Sequence, residues 1–460
     1  MKLSQFDQLE RLYFQRLESM RAMDASNLWF LSDFVYKQNQ RNPQVIFSDN
    51  TRLSQLLSDV STESSLKSTL RQFRNWKICQ FIRSEFSTEP KTLEVMRACS
   101  ELADECVQTA LEWLMKDHVS KFGTPIADSG EPQYLMVIAM GKLGGRELNL
   151  SSDIDLIFAY PEKGHSCGAR RSIENEVFFH RLAQRLTNVL AEVTEDGFVF
   201  RVDARLRPYG DSGALVLSFD ALASYYLEQG RDWERFAMVK ARAITGSEDQ
   251  KLRLNTILNP FVYRRYIDFS MLESPRQMKL QIEVELRRRN LSNNLKLGSG
   301  GIREIEFIVQ AIQLIHGGKK TELQSTSTLV GLAQIKLLGL LSEEDCDSLQ
   351  DGYVRLRHWE HCLQGFNDQQ TQNLPEDELD RQRLCFIDNK ENWREWKDEI
   401  EGYRSSVHQI FLRQFEDTKR KQRITIDSKL ADLWRLPDSC DDNINLVKQL
   451  GYNEPLKLLS

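Results

Sequence analysis

The chain has 460 residues, of which 41% are hydrophobic and 28% are charged, and its formal net charge is −6. This length suits two or three packed domains. The negative charge argues against bulk nucleic-acid binding, although it does not exclude a local basic pocket. The sequence has no run of about 18 apolar residues, and its first residues, MKLSQFDQLERLYFQ, have the pattern of an amphipathic helix and not of a signal peptide. We therefore expect a cytoplasmic protein that binds neither nucleic acid nor a membrane.

The eight cysteines are scattered through the sequence without any CxxC pair. This usage predicts reduced thiols and not a disulfide or zinc framework. His358 and His361 lie three residues apart in RHWEHC, a spacing that can place both on one helix face. Because no other ligand lies nearby in the sequence, we predict a structural or surface role for this pair and not metal binding.

Helical periodicity dominates residues 1–122, which we interpret as an N-terminal helical region. Between Glu89 and His118, apolar residues recur at steps of three and four, and Pro90 stands near the start, where its missing N–H costs little. After Gly123 the period changes. The segments YLMVIAM, DIDLIFAY, FVFRVDARLRP and ALVLSF predict strands over residues 134–140, 153–160, 198–208 and 214–219, and a helix is predicted over residues 174–193. These elements predict a small mixed α/β domain over residues 123–268.

Helical periodicity returns over residues 269–435, which predicts a C-terminal helical bundle. REIEFIVQAIQLIH has an apolar face and a polar face, the latter with Arg303, Glu306, Gln310 and Gln313. Ser342 followed by Asp345 resembles a capping box that opens another helix through Leu363. Residues 436–460 begin a new pattern, which we interpret as a linker or the start of a missing second half. The predicted fold class is α+β, a small mixed-sheet domain flanked by two helical regions.

Two acids alternate with apolar residues where the second strand begins. Side chains alternate between the faces of a strand, so Asp153 and Asp155 project the same way, with Cα atoms roughly 7 Å apart. Two carboxylates so placed repel one another unless a cation lies between them, and Mg²⁺ bound by carboxylates and substrate phosphates is the natural occupant. The alternative is an edge strand whose polar face meets only water.

The third predicted strand strengthens this interpretation. In RVDARLR, the apolar residues share one face and the charged residues Arg201, Asp203, Arg205 and Arg207 share the other. A third acid among guanidinium groups is what a site for metal and phosphate requires, because arginine binds phosphate oxygens in pairs. The alternative is internal salt bridging between the two strands.

A glycine-rich segment precedes the two acids. Gly141, Gly144 and Gly145 allow backbone N–H groups to approach a phosphate closely, and Lys142 adds positive charge. The GxxGG pattern is weak alone, because it has neither the spacing of a dinucleotide-binding loop nor the ending of a P-loop. Followed eight residues after Gly145 by Asp-Ile-Asp, it becomes specific.

Three further clusters carry weaker signals. GSGGIREIE predicts a helix whose first N–H groups bind an anion, with Arg303, Glu304 and Glu306 as secondary site candidates; the alternative is a terminus packed on the sheet domain through salt bridges. The arginine run at residues 287–289 suits a solvated helix face or contact with an acidic partner. In GRDWERF, we expect Asp232, Trp233 and Glu234 to anchor a helix near the site, with the indole in the core.

These motifs resemble a known family. A glycine followed by an acid-hydrophobic-acid strand and a third acid resembles the nucleotidyltransferase fold of the DNA polymerase beta superfamily, although Lys142 replaces the small second residue of that pattern. The segments MGKLGGRELNLSSDIDLIFAYPE, GFVFRVDARLRPYGDSGALVLSF, YYLEQGRDWERFAMVKAR, FVYRRYIDFS and KLGSGGIREIEFIVQ resemble the glutamine synthetase adenylyltransferase, or adenylyl-removing enzyme, family. The last two segments resemble its amino-terminal, deadenylylating half.

The resemblance implies a reaction and a site. Inorganic phosphate, as co-substrate, would release ADP from an adenylyl-tyrosine of glutamine synthetase, with two Mg²⁺ ions held by Asp153, Asp155 and Asp203. Ser152 and the backbone of residues 141–145 would bind the adenylate phosphate. Positive charge for the attacking phosphate would come from Arg205 and Arg207, with Lys240 and Arg242 behind them.

The resemblance also implies partners and leaves two alternatives open. The implied partners are adenylylated glutamine synthetase, the PII signal protein and glutamine as regulators, and the adenylyltransferase half of a longer chain. One alternative is a forward adenylyltransferase that uses ATP to modify the tyrosine. The other is a non-catalytic regulatory module that binds a nucleotide or a partner.

Overall fold

The structure is a computed structural model that describes residues 5–19, 28–41, 51–264 and 293–433. The chain divides into two compact units, Met1–Val407 and His408–Ser460. The domain boundaries expected near residues 122, 268 and 435 stay predictions. The arginine run at 287–289 and the final segment 436–460 lie outside the described residues. In the ranges that are described, no helix is long and apolar enough to cross a membrane.

A mixed sheet of five strands lies at the centre of the candidate site. Its middle strand, β3, pairs antiparallel with β2 and parallel with β5 at its start and β6 at its end, while β7 pairs with the other edge of β2. Strands β1 and β4 form a separate antiparallel pair. The strands are β1 Thr124–Ala127, β2 Met136–Ala139, β3 Ile154–Tyr160, β4 Gly164–Cys167, β5 Val202–Asp203, β6 Val216–Ser218 and β7 Arg242–Ala243. All of β2 and β3 is buried except Asp155, which is half-buried.

The strand predictions are confirmed in three of four segments, with trimmed ends. The prediction of one strand over residues 198–208 is wrong, because only Val202–Asp203 is a strand. Beyond the Asp155–Asp203 pair, the edge of β3 is taken by β6, whose Val216 pairs with Phe158. The chain therefore turns away after Asp203, and Tyr209 adopts a left-handed conformation with φ of 62°.

Helices account for most of the remaining described residues. The amphipathic first helix and the helices predicted over residues 89–118, 174–193 and 303–316 are present with shifted ends. The helices are α1 Asp7–Ser19, α2 Asp33–Arg41, α3 Leu53–Leu56, α4 Glu63–Glu85, α5 Thr92–Phe122, α6 Gly141–Gly144, α7 Asn175–Ala191, α8 Phe219–Glu228, α9 Asp232–Met238, α10 Glu248–Val262, α11 Ile302–His316, α12 Thr328–Leu337, α13 Glu343–Asn367, α14 Glu378–Ile387 and α15 Trp393–Leu433.

Of two predictions about the helices, the cap at Ser342 is confirmed and the exposed position of Gln313 is wrong. The cap at Ser342 is confirmed, because its hydroxyl accepts the N–H of Asp345 at 3.1 Å. The placement of Gln313 on a polar face is wrong, since its side chain is buried and its amide donates to the carbonyls of Leu323 and Ser325, both at 2.8 Å. A chain segment that folds over the helix thus supplies the partners that water would otherwise provide.

A buried carboxylate joins the helices that precede the sheet to those that follow it. Glu85 at the end of α4 accepts hydrogen bonds from His358 Nδ1 at 2.6 Å and His361 Nδ1 at 3.0 Å, both on α13. Burial alone would raise the pKa of Glu85, but the two imidazoles lower it to about 2. The structural role predicted for the two histidines is confirmed. The seven cysteines of the described segments are free thiols, also as predicted.

We expect Glu85→Gln to lower the free energy of unfolding by about 3 kcal/mol at neutral pH, because it removes one side of a buried ion pair. The folded-state pKa of about 2 lies below the ordinary value of 4.5, so the stabilisation is present above pH 4.5 and is lost as the pH falls towards 2. Urea denaturation at several pH values measures both effects. Glu89→Gln, on the exposed segment before α5, is the matched control. An equal loss in both variants would contradict the role of Glu85.

Candidate active site

A cavity of about 190 Å³ opens where β3 begins. Asp153 and Asp155 line it from the start of this strand, with Ser152 beside them and with Gly141 and Lys142 from α6. The short helix α6 comes directly after β2, and Met140 N donates to the Asp155 carbonyl at 2.9 Å. The antiparallel pairing of β2 and β3 therefore brings the glycine-rich segment next to the two acids.

The three predicted acids come together at the sheet edge. The parallel register of β3 and β5 places Asp203 directly beside Asp155. Burial and then the negative charges of Asp153 and Asp203 raise the pKa of Asp155 to about 6. The Asp203 carboxylate, however, is bound by the Arg205 side chain, with Nε at 2.9 Å from Oδ2, and this hydrogen bond lowers the pKa of Asp203.

Two of these three acids are placed to bind a hard divalent cation, and the third is not. Asp153 and Asp155 present carboxylates to one cavity, and Mg²⁺ is commonly bound by one or two carboxylates together with substrate phosphates. Among the described residues, no group of three or more His, Cys, Asp or Glu side chains is already spaced as a metal site. Asp203 accordingly faces Arg205 and does not line the cavity. The role of the three acids as metal ligands stays a prediction.

Gly141 is required by the position of Asp155. The glycine has φ of +54°, in the left-handed region, and a Cβ added to it would lie 2.7 Å from Asp155 Oδ2. Any side chain at this position would push the carboxylate away. The glycine-rich segment thus makes room for the acid.

The other two glycines have a packing role. Gly144 N donates to Met140 O and Gly145 N donates to Gly141 O, so both N–H groups are used within the turn. A Cβ on Gly144 would collide with the Lys240 carbonyl. Gly144 and Gly145 are absent from the cavity lining, whereas Gly141 and Lys142 line it.

Three predicted cations have protein partners outside the cavity. Arg205 is largely exposed and holds Asp203, and Arg207 donates to the Ala204 carbonyl at 2.8 Å. Arg242 forms a paired contact with Asp104 at 2.8 and 2.9 Å and also donates to the Leu143 carbonyl. These contacts organise the turn after β5 and the glycine-rich turn.

Two lysines line the cavity and are neutralised by buried carboxylates. Lys142 Nζ lies 2.9 Å from Glu360 Oε1 on α13, and burial lowers the pKa of Lys142 to about 8. Lys240 Nζ lies 2.8 Å from Glu147 Oε2 and 2.9 Å from Glu306 Oε1, and these two charges raise its pKa against the effect of burial. The pKa values of Glu306 and Glu360 fall to about 2, because the nearby cations outweigh burial.

Three of the residues that line the cavity were missed by sequence reasoning. Lys296 precedes α11, and Gln370 and Gln372 lie in the loop after α13. Gln370 Nε2 donates to Asp153 Oδ1 at 2.9 Å, which connects this part of the lining to the acids. Two signals were available in the sequence: the lysine two residues before the glycine run GSGG, and the polar run DQQTQN at the end of α13.

The α11 terminus, predicted as an anion site, stays a prediction, but its first backbone donors are occupied. Its first N–H groups already have protein acceptors, since Ile302 N donates to Leu295 O and Arg303 N donates to Lys296 O, each at 3.1 Å. Of the three secondary candidates, Glu306 lines the cavity, whereas Arg303 and Glu304 do not. The expectation of a core indole at Trp233 is wrong, because that residue is 44% exposed; Glu234 instead anchors α9, accepting from Tyr225 Oη at 2.8 Å.

A small mixed sheet with acids at one edge, an adjoining glycine turn and flanking helices defines a nucleotidyltransferase-type protein. Residues 22–257 match the family model of glutamate-ammonia ligase adenylyltransferase, and residues 276–415 match that of GlnD PII-uridylyltransferase. The chain belongs to the glutamate-ammonia ligase adenylyltransferase family.

Individual relatives support the same assignment. The chain is 43% identical over 446 residues to a bifunctional glutamine synthetase adenylyltransferase/adenylyl-removing enzyme of Shewanella oneidensis, a match covering 94% of this chain and 46% of the relative. It is 45% identical over 419 residues to the enzyme of that name from Pseudomonas aeruginosa, covering 88% of this chain and 42% of the relative. The chain spans about half the length of the curated relatives it matches.

We expect Gly141→Ala to weaken Mn²⁺ binding by at least about tenfold, because the new methyl group displaces the Asp155 carboxylate. Isothermal titration calorimetry with Mn²⁺ measures the change. Gly339→Ala is the matched control, since Gly339 has a similar φ of +63° but nothing within 4 Å of an added Cβ. The control should bind Mn²⁺ as the wild-type chain does. Unchanged binding in Gly141→Ala would contradict the proposed constraint.

Proposed function

We propose that this chain is an adenylyl-removing enzyme that acts on glutamine synthetase carrying an adenylylated tyrosine. Inorganic phosphate is the proposed second substrate, and ADP and the unmodified tyrosine are the proposed products. The observation that carries the proposal is the pair of carboxylates, Asp153 and Asp155, that share one cavity with Lys142 and Lys296. Family membership supports the substrate class, and the segments FVYRRYIDFS and GGIREIEF support the direction of the reaction.

The arrangement suits transfer of a nucleotidyl group between two oxygen atoms. A phosphate oxygen attacks the α-phosphorus, the bond from this phosphorus to the tyrosine oxygen breaks, and the proton of the attacking hydrogen phosphate passes to the tyrosine oxygen. Such a reaction depends mainly on positioning and on stabilisation of charge. Mg²⁺, held by Asp153 and Asp155 with Asp203 beside them, would neutralise charge on the phosphoryl oxygens.

The residues of the chain have separate tasks in this proposal. Asp153 and Asp155 carry the cation, and Ser152 and Lys142 lie where the adenylate phosphate would be bound. Glu360 keeps Lys142 in place, and Glu147 and Glu306 do so for Lys240. Because these lysines are already paired with carboxylates, they add little net positive charge to the cavity. Their main contributions are hydrogen bonds and the form of the cavity wall.

The proposed partners follow from the same family. Relatives are named as enzymes of glutamine synthetase, and the match of residues 276–415 to a PII-uridylyltransferase model supports the PII signal protein as a regulatory partner. We extend the proposal to glutamine as a second regulator and to the adenylyltransferase half of a longer chain. Two Mg²⁺ ions remain the proposed number, with Asp203 joining only when Arg205 releases it.

The direct test incubates the chain with adenylylated glutamine synthetase, Mg²⁺ and phosphate and measures ADP by chromatography. We expect ADP to form and Asp153→Asn to slow its formation by about 1,000-fold, since loss of a cation ligand removes several kcal/mol of transition-state stabilisation. Asp128→Asn, at an exposed turn outside the cavity lining, is the control and should retain full activity.

Three outcomes would overturn the assignment. If the chain consumes ATP and modifies unmodified glutamine synthetase while it leaves the adenylylated form intact, the direction is reversed. If Asp153→Asn binds nucleotide and turns over as fast as the wild-type chain, the two carboxylates are not the reaction centre. Absence of both reactions would favour the non-catalytic module.

A further inference from the structure

The cavity contains three lysines, and their charges are not equally available. Lys142 is paired with Glu360, and Lys240 is paired with both Glu147 and Glu306. Within the described segments, Lys296 makes no ion pair and no side-chain hydrogen bond. Its ammonium group is therefore the cation of this cavity that an incoming anion can bind without displacing a protein carboxylate.

Lys296 is held in a fixed place by its backbone. The Asn294 side chain accepts the N–H groups of Lys296 at 3.0 Å and Leu297 at 2.7 Å, and the carbonyl of Lys296 accepts from Arg303 N at 3.1 Å. Gly300 packs so closely on the Arg404 carbonyl of α15 that a Cβ would collide with it. The loop is thereby anchored on both sides of the lysine.

The same loop is joined to the glutamine-rich loop after α13. Asn294 Nδ2 donates to Asn373 Oδ1 at 2.7 Å, and Leu295 N donates to the Gln372 carbonyl at 2.8 Å. The two loops carry Lys296 and Gln372 into one wall of the cavity, and the Gln372 amide also has no hydrogen-bond partner in the described parts of the chain. An ammonium and an unpaired amide that line one cavity, on loops held together by hydrogen bonds, suit a small oxyanion.

We propose that Lys296, with Gln372, binds the attacking inorganic phosphate, which becomes the β-phosphate of the ADP product. This proposal rests on the proposed function for the identity of the anion. Arg205 and Arg207, the residues that the sequence pattern favoured for this task, are bound to Asp203 and to backbone carbonyls instead. The proposed phosphate site thus lies on the wall that the two loops form.

The proposed reaction has a consequence for product binding that can be measured. An oxygen of the bound phosphate forms the new bond to the α-phosphorus, and the tyrosine oxygen leaves from the same phosphorus with the electron pair of the broken bond. The product therefore carries the former phosphate as its β-phosphate. A residue that binds the attacking phosphate must contact ADP through a group that AMP does not have.

The test compares Mg²⁺-ADP and Mg²⁺-AMP binding by isothermal titration calorimetry in the wild-type chain and in Lys296→Gln. We expect the wild-type chain to bind ADP more tightly than AMP. Lys296→Gln should weaken ADP binding by about 10- to 100-fold, the range for a lost charge-assisted hydrogen bond, and should leave AMP within about twofold. Lys296→Arg should restore part of the preference for ADP. Lys163→Gln, at an exposed lysine, is the control for loss of charge.

A kinetic measurement adds a second readout. In the phosphorolysis assay, Lys296→Gln should raise KM for phosphate by about tenfold or more, while KM for adenylylated glutamine synthetase and kcat at saturating phosphate stay near the wild-type values. Gln372→Ala should shift KM for phosphate in the same direction by a smaller factor.

The outcomes separate this proposal from the proposed function. Equal weakening of AMP and ADP, or no change in either, would overturn the assignment of Lys296 even if the chain releases ADP from adenylylated glutamine synthetase. Selective weakening of ADP would support a β-phosphate site even if the chain proves to use ATP in the forward direction. Failure of the wild-type chain to prefer ADP over AMP would also overturn the assignment.

Discussion

The arrangement of the cavity depends on the hydrogen bonds that the buried carboxylate of Glu147 accepts. It accepts hydrogen bonds from Lys240 Nζ, from the backbone and hydroxyl of Thr328, and from Tyr353 Oη at 2.6 to 3.1 Å. These donors come from three separate parts of the chain. A buried charge costs free energy unless all its lone pairs are satisfied. The main effect of such a cluster is therefore to select one arrangement of sheet and helices, and its contribution to stability is smaller.

This constraint explains why the helices take part in the candidate site. α13 supplies Glu360 to Lys142, and α5 supplies Asp104 to Arg242. The cations beside the glycine turn are therefore balanced before any substrate arrives. The proposed reaction brings one anion next to another and requires a further cation, and we propose that Lys296, in the loop before α11, provides it.

Local sequence patterns predicted the part of the site that a single strand determines. Alternation placed Asp153 and Asp155 on one side of β3, and the apolar runs predicted the strands that bring Gly141 to them. The same patterns could not reveal that Arg205 folds back on Asp203. Charged and apolar residues alternate in this turn just as they would in a strand, so the two structures have the same sequence pattern. Nor could sequence patterns pair Lys142 with Glu360, since that contact joins residues 218 positions apart in the chain. Such pairings are decided by packing and not by periodicity.

Because Gly141 and Asp155 approach each other closely, the identity of residue 141 indicates where the carboxylate of residue 155 can lie. A side chain at position 141 and the observed carboxylate position at 155 exclude each other sterically. A related chain with any other residue at position 141 must hold its second carboxylate differently. The identity of this single amino acid thus becomes evidence of whether a related chain can hold its carboxylate as this one does.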